Sequence, residues 1–289
     1  MNTEALEYFI KVYEEKSVTA AAKELYITPQ GVSKTIKQLE LELEAELFFR
    51  GPRGMEATEA GELLHARAKH IRYLMKDIKK EISVISGRKG VLNLIVTYSA
   101  TAYFPVDFLY QFSQAHNDIQ IKIREVPDES PTGKVFQDEA DVGLVMGHND
   151  FENCEHEQVT YGEVVLVVNK QHKLANRDEI SIHELTDESF VLKTTAKGHD
   201  HIFVEECLNQ GFTPNIVHEF GNIISAHRLV EINNFVAVSV DFVEESLQNP
   251  QLKIVKLKEK LPQNIYLVTR KRGFQSEAVS LFQHYIKNF

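Results

Sequence analysis

Cysteine is scarce: the 289-residue chain holds two, Cys154 and Cys207, well separated along the sequence. A disulfide framework is thereby excluded, and a reducing cytoplasm is the expected setting. Neither cysteine has a neighbour that obviously creates a thiolate, so packing is the expected role and redox sensing the alternative. Long apolar runs are missing as well. Nothing approaches the roughly 20 residues that cross a bilayer, and the opening MNTEALEYF begins on a helical pattern without a basic and apolar leader. The signatures of common enzymes are absent: there is no GxGxxG, Walker loop, CxxC pair, HExxH or GxSxG. The 12 histidines are scattered, and no histidine, serine and acid group into a triad. His199, His201 and Glu205 in GHDHIFVEE come nearest to a metal set. His201 and Glu205 share a helix face, but His199 lies two residues earlier and a fourth ligand is lacking. Polar residues at a helix entry are the expected reading, with no metal and no catalytic residue.

Positive charge is also short overall, at a net −10, but the deficit is uneven. Residues 1–90 hold 15 Lys and Arg against 14 Asp and Glu, while the remainder holds 17 against 28. The first part is therefore at +1 and the rest at −11. Attraction to phosphates needs a local patch and not a basic whole. The acidic remainder would discourage non-specific contact with nucleic acid.

The patch is found in residues 17–40, SVTAAAKELYITPQGVSKTIKQLE. Ser17 or Thr19 can cap a slim first helix carrying Ala20, Ala21, Ala22 and Leu25. Tyr26 and Ile27 form a turn. Thr28 then stands at an N-cap with Pro29 behind it, a strong start signal. Val32, Ile36 and Leu39 make the buried stripe of the second helix. Its other face carries Gln30, Ser33, Lys34, Thr35 and Lys37, with no acid before Glu40. Such a face suits base edges and phosphates in a major groove. An ordinary helical hairpin with a solvated polar face is the bland alternative. A helix at residues 3–13 precedes the pair, and LFFRGPRGMEAT, residues 47–58, reads as two short strands projecting Arg50 and Arg53.

This order of three helices and a basic wing resembles the N-terminal domain of LysR-type transcriptional regulators. Ala21-Ala22 with Leu25, the TPQGVSKTIKQLE run, LFFR and TEAG at 58–61 carry the resemblance. It is specific in residues 1–65 and looser in layout beyond them. It implies an α/β protein with an N-terminal winged helix-turn-helix at residues 1–58 and a long dimerisation helix and hinge at 59–90. A two-lobed, periplasmic-binding-protein-like (type 2) α/β effector domain would fill 91–289. On that reading Gln30, Ser33, Lys34 and Thr35 approach base edges, and Thr28, Lys37, Arg50 and Arg53 hold phosphates.

Leu64, Ile71, Ile78 and Ile85 recur every seven residues, with Leu74, Met75 and Ile82 between them. That repeat predicts a coiled-coil seam, although a long helix packed on its own domain is the alternative. From Val91 the pattern becomes alternating strands and helices, an α/β layer architecture. Strands are expected at 91–97, 119–126, 141–146, 164–168, 190–193, 215–220, 235–240, 252–257 and 264–269. Helices are expected at about 102–116, 198–211, 222–233 and 275–288. One lobe would comprise 91–161 and 270–289 and the other 162–269, with crossovers near Tyr161-Gly162 and Val268-Thr269.

Ligands of such sheets bind where strands end and helices begin. The candidate effector residues are Ser99, Ala100, Thr101, Asp128, His148, Thr194, Thr195 and Asn222. Singly, each is more simply a cap. The family often has a glycine-rich turn before the strand FVAVSV, where this chain reads Ile232-Asn233-Asn234-Phe235, so a known effector does not transfer. The expected partners are double-stranded operator DNA, a small-molecule effector of unknown identity, a second copy or a tetramer of the chain, and RNA polymerase. No cofactor and no membrane are expected. A cytoplasmic small-molecule binding protein without a DNA-reading role is the alternative.

Overall fold

The computed structural model describes residues 1–289 apart from 52–53, 87–89, 129–139, 148–150, 152–153, 194–198 and 271–275, and apart from the side chains of 50, 77, 80, 81, 83, 84 and 199. The chain divides into two compact units, residues 1–88 and 89–289.

In the first unit α1 (Thr3–Glu15), α2 (Val18–Glu24) and α3 (Pro29–Leu43) are followed by a hairpin of β1 (Phe48–Gly51) and β2 (Gly54–Ala57), then by α4 (Glu59–Ile85). The caps are local chemistry. Asn2 accepts from the Ala5 N–H, Ser17 rather than Thr19 accepts from that of Ala20, and Thr28 accepts from that of Gly31. Tyr26 turns the chain between α2 and α3 in the left-handed region, φ 55°. Leu6, Phe9, Ile10 and Val12 meet Ala21 and Ala22, the Val32–Ile36–Leu39 stripe, and Leu47 and Phe48 beside the wing. Burying each large side chain here contributes about 1.5–3 kcal/mol. The wing abuts the α1–α2 turn: Met55 N–H donates to the Lys16 carbonyl at 2.9 Å. Gly54, φ 107°, is required there, because a Cβ would fall 2.5 Å from that carbonyl oxygen.

In the second unit the strands are β3 (Gly90–Thr97), β4 (Ile119–Val126), β5 (Val142–Met146), β6 (Cys154–Thr160), β7 (Val164–Asn169), β8 (Glu179–Ile180), β9 (Ser189–Lys193), β10 (Asn215–Phe220), β11 (Val236–Val240), β12 (Leu252–Leu257) and β13 (Ile265–Arg270). The helices are α5 (Tyr98–Tyr103), α6 (Val106–Ala115), α7 (His199–Asn209), α8 (Ile223–Ile232), α9 (Asp241–Leu247) and α10 (Glu277–Lys287). They build two mixed sheets, ordered β4-β3-β5-β13-β6 and β10-β9-β11-β7-β12-β8. The crossings between the sheets run side by side, with Gln263 N–H donating to the Gly162 carbonyl at 2.7 Å.

Several expectations need correction. The single helix expected at about 102–116 is two, α5 and α6. Pro105 lacks an N–H and disfavours helical geometry at Phe104, whose φ and ψ are −101° and 87°. The return crossing falls before Ile265 and not near Val268-Thr269, since β13 pairs with β5 and β6 along its whole length. An apolar strand does not reveal from sequence which of two sheets it joins. β6 was not anticipated, because CEHEQVT is mostly exposed on a sheet edge and reads as a polar connection. Nor was α9, which follows a strand of the second sheet yet places Phe242 and Val243 in the core around Leu94, Ala100 and Phe104 of the first. Among the described residues no helix is long and apolar enough to cross a membrane.

Candidate nucleic-acid interface and ligand cleft

α3 presents its polar face to a groove of about 960 Å³ bounded by the start of α2 and by the wing. Gln30, Ser33, Lys34 and Lys37 line it together with Ser17, Thr19 and Gly54. Lys16 adds a third cation, and among the described residues no acid lines the groove. Gln30, Lys34 and Lys37 are exposed and Ser33 is half-buried. The grouping follows from the helical repeat: these positions fall within one sector while Val32, Ile36 and Leu39 point into the core. Thr35 stands apart. It lies one residue and about 100° beyond Lys34, outside the groove lining, and its hydroxyl donates to the Gly31 carbonyl at 3.1 Å. Thr28 is exposed, and its hydroxyl oxygen is engaged as the cap of α3. Arg50 is on β1, its side chain outside the described residues, as is the whole of Arg53. Ser17 and Thr19 were read only as caps. Their place in the groove depends on how α2 crosses α3, which local pattern does not give.

α4 is anchored at its start. Thr58 accepts from the Gly61 N–H at 3.0 Å and donates to the Glu46 carbonyl at 2.7 Å. Tyr13 of α1 stacks on His65, ring centroids 3.6 Å apart, and its hydroxyl donates to Glu62 at 2.7 Å. That hydrogen bond, with burial behind it, pushes the phenol up to about 12. The seven-residue repeat divides in use. Leu64 and Ile71 pack on the core of their own unit, whereas Leu74, Met75, Ile78, Ile82 and Ile85 are exposed.

In the second unit the C-terminal ends of β4, β3 and β5 lie side by side on one rim. Ser99, just past β3, donates its backbone N–H and its hydroxyl to the two carboxylate oxygens of Asp128, at 2.9 and 2.8 Å. Asp128 follows β4. From the other sheet, Lys193 at the end of β9 reaches the same carboxylate at 2.5 Å. The two charged side chains are 3% and 7% exposed. Burial pushes Asp128 up, but the Lys193 charge and the hydrogen bonds from Lys193 and Ser99 outweigh it, and the carboxyl is held below its ordinary range. Lys193 escaped the sequence reading. A lysine closing an apolar strand, FVLK, was the available signal.

The other candidates separate. Ala100 is buried in the core of the first sheet, Thr101 donates to the Tyr98 carbonyl, and Asn222 is an exposed cap accepting from Ser225 N–H. His148, Thr194 and Thr195 lie outside the described residues. Gln263 is 1% exposed, and its Oε1 is buried with no hydrogen-bond partner among the described residues. His201 and Glu205 pair across one turn of α7 at 3.3 Å, and among the described residues no three metal-ligating side chains come together. Burial pushes the Cys207 thiol up to about 12, which leaves it unreactive.

A helix-turn-helix head with a lysine-lined groove and a two-sheet body with charged groups meeting between the sheets define a DNA-binding regulator with an effector domain. Residues 3–62 match the family model "Bacterial regulatory helix-turn-helix protein, lysR family", and residues 86–289 match "LysR substrate binding domain". The chain belongs to the LysR family, as a DNA-binding transcriptional regulator and not an enzyme. The HTH-type transcriptional regulator CysL of Bacillus subtilis is 28% identical, over 96% of this chain and 99% of its own length. AlsR of the same organism is 30% identical over 76% of this chain and 74% of its own. The crystal structure of CbnR, a LysR family transcriptional regulator, shares the fold with a TM-score of 0.64 at 16% identity, covering 100% of this chain and 99% of that one. Full-length CbnR complexed with its target DNA gives 0.64 at 17% identity, with the same coverage.

Proposed function

We propose that α3 reads operator DNA through Gln30, Ser33 and Lys34, while Lys37, Thr28 and the wing arginines Arg50 and Arg53 hold phosphates. The observation that carries this is the groove whose described lining holds Lys16, Lys34 and Lys37 with Gln30 and Ser33 and no acid. Thr35 is left out of the base-reading set because its hydroxyl is turned to its own helix. A second copy covers the exposed apolar half of α4, so two heads meet a near-palindromic site with adjacent half-sites about one turn apart. Further pairing gives a tetramer. The small-molecule effector enters between the two sheets, where Ser99 and Asp128 face Lys193, with no cofactor, and alters the angle between lobes and the spacing of the heads. Because its target is DNA, the chain works in the cytoplasm, and activation proceeds through contact with RNA polymerase.

Gel shifts on a fragment from the protein's own upstream region test the placement. Gln30→Ala is expected to reduce discrimination between operator and random DNA by about tenfold or more. Lys37→Ala is expected to weaken binding to all DNA and to flatten its salt dependence by about one unit of slope. Normal operator binding by both variants would place the contact surface elsewhere.

A further inference from the structure

The rim of the first sheet grips a carboxylate that the chain itself carries. Three donors meet on Asp128: the Ser99 N–H on one oxygen, and the Ser99 hydroxyl and Lys193 ammonium on the other. Two come from one sheet and the third from its neighbour, 65 residues beyond Asp128 in the chain. Donors on both oxygens and a cation from the opposite wall are what a cleft needs to bind an anionic molecule. Here that position is filled before any molecule arrives, and the filling group is 3% exposed at its side chain.

We propose that Asp128 is a resident ligand of the cleft, a tethered carboxylate that occupies the anion-accepting point formed by Ser99 and Lys193 and ties the two lobes together without an effector. This rests on the reading of the cleft as the effector site, and it narrows the class of effector. A carboxylate or phosphate cannot take the Ser99–Lys193 point while Asp128 holds it. The effector of the wild-type chain therefore presents no anion there, and residue 128 sets that preference. Truncating Asp128 should uncover a free carboxylate site with Ser99 and Lys193 as its walls.

The test is rescue by formate, the carboxylate that Asp128→Ala removes. Unfolding midpoints of the full chain are measured in rising sodium formate against matched sodium chloride. Asp128→Ala should melt below wild type and recover by several degrees, saturably, in formate beyond chloride, as a ligand bound to the folded state requires. Wild type and the Asp128→Ala/Lys193→Ala double variant should answer formate no more than chloride. So should Asp128→Asn, which fills the space. A formate response of equal size in wild type, in the double variant or in Asp128→Asn overturns the inference, as does its absence in Asp128→Ala. If Asp128→Ala is recovered poorly, its soluble yield in formate against chloride becomes the reading, and equal yields count against the proposal. Gel shifts in the presence of a small-molecule metabolite library separate the two failures: if the library changes operator binding by wild type but not by Lys193→Ala, failed rescue removes only the resident carboxylate, and equal responses of the two remove the cleft reading beneath it.

Discussion

A carboxylate withdrawn from water costs several kcal/mol unless its charge is met. Asp128 is met on both oxygens, which is why it stays ionised at 5% exposure. With a folded pKa below the unfolded value of about 3.9, its contribution is complete above that value and is lost only as pH falls through the lower one. Around neutral pH the Asp128 contribution is constant. His172 behaves differently. Burial lowers its pKa, outweighing the opposing pull of the Glu188 carboxylate, while nearby Lys173 adds a smaller lowering. Its Nδ1 accepts from the Leu174 N–H at 3.1 Å, a bond available only to the neutral ring. The folded chain thus holds His172 neutral where the unfolded chain charges it. The stability this gives is whole above about pH 6.5 and drains away as pH falls below it. His172→Asn keeps an acceptor for Leu174 and is expected to flatten the loss of unfolding midpoint between about pH 6.5 and 5. A slope equal to that of wild type would remove His172 as its source.

At the scale of elements, the contact between α4 and the chain entering the wing is made by an absence. A Cβ on Gly61 would sit 2.2 Å from the Leu47 carbonyl oxygen and 3.3 Å from the Ala57 side chain. Glycine within a helix is ordinarily about 1 kcal/mol worse than alanine, so the generic expectation is that Gly61→Ala stabilises. The close approach reverses the sign. Gly61→Ala should destabilise the head by about 1–3 kcal/mol, the usual range for overpacking, read by urea unfolding of the full chain. A gain in stability would show that α4 can move away from Leu47 freely. TEAG was visible as a motif, but that its glycine faces a backbone carbonyl follows only from how the helix crosses the wing. The cap of α3 was legible outright, Thr28 standing before Pro29 and bonding the Gly31 N–H, whereas for α2 the sequence offered Ser17 or Thr19 and Ser17 takes the role.

For the whole molecule, the exposed half of α4 is the surface we propose for assembly. Ile85 is 85% exposed and Ile78 and Ile82 more than half, a contiguous apolar stripe of a kind that single chains cover. A second copy is the occupant expected from the heptad spacing. Ile78→Glu/Ile82→Glu should convert the protein to monomer in sedimentation velocity. It should also lower operator affinity by about 100-fold or more, since two linked heads bind as one. A dimer that survives both substitutions would assign the stripe another role.

What the sequence determined by itself is everything that depends on neighbours a few residues apart: the capped helices, the buried stripe of α3 with Gln30, Ser33, Lys34 and Lys37 opposite, and most strands of the two sheets. What the tertiary structure alone decided joins residues far apart. It placed β13 in the first sheet, made an edge strand of CEHEQVT, divided the α4 seam between core and surface, and closed Asp128 on Lys193. Periodicity reports which side of an element is apolar. Which element lies opposite depends on chain crossings and long-range packing, which no local pattern encodes.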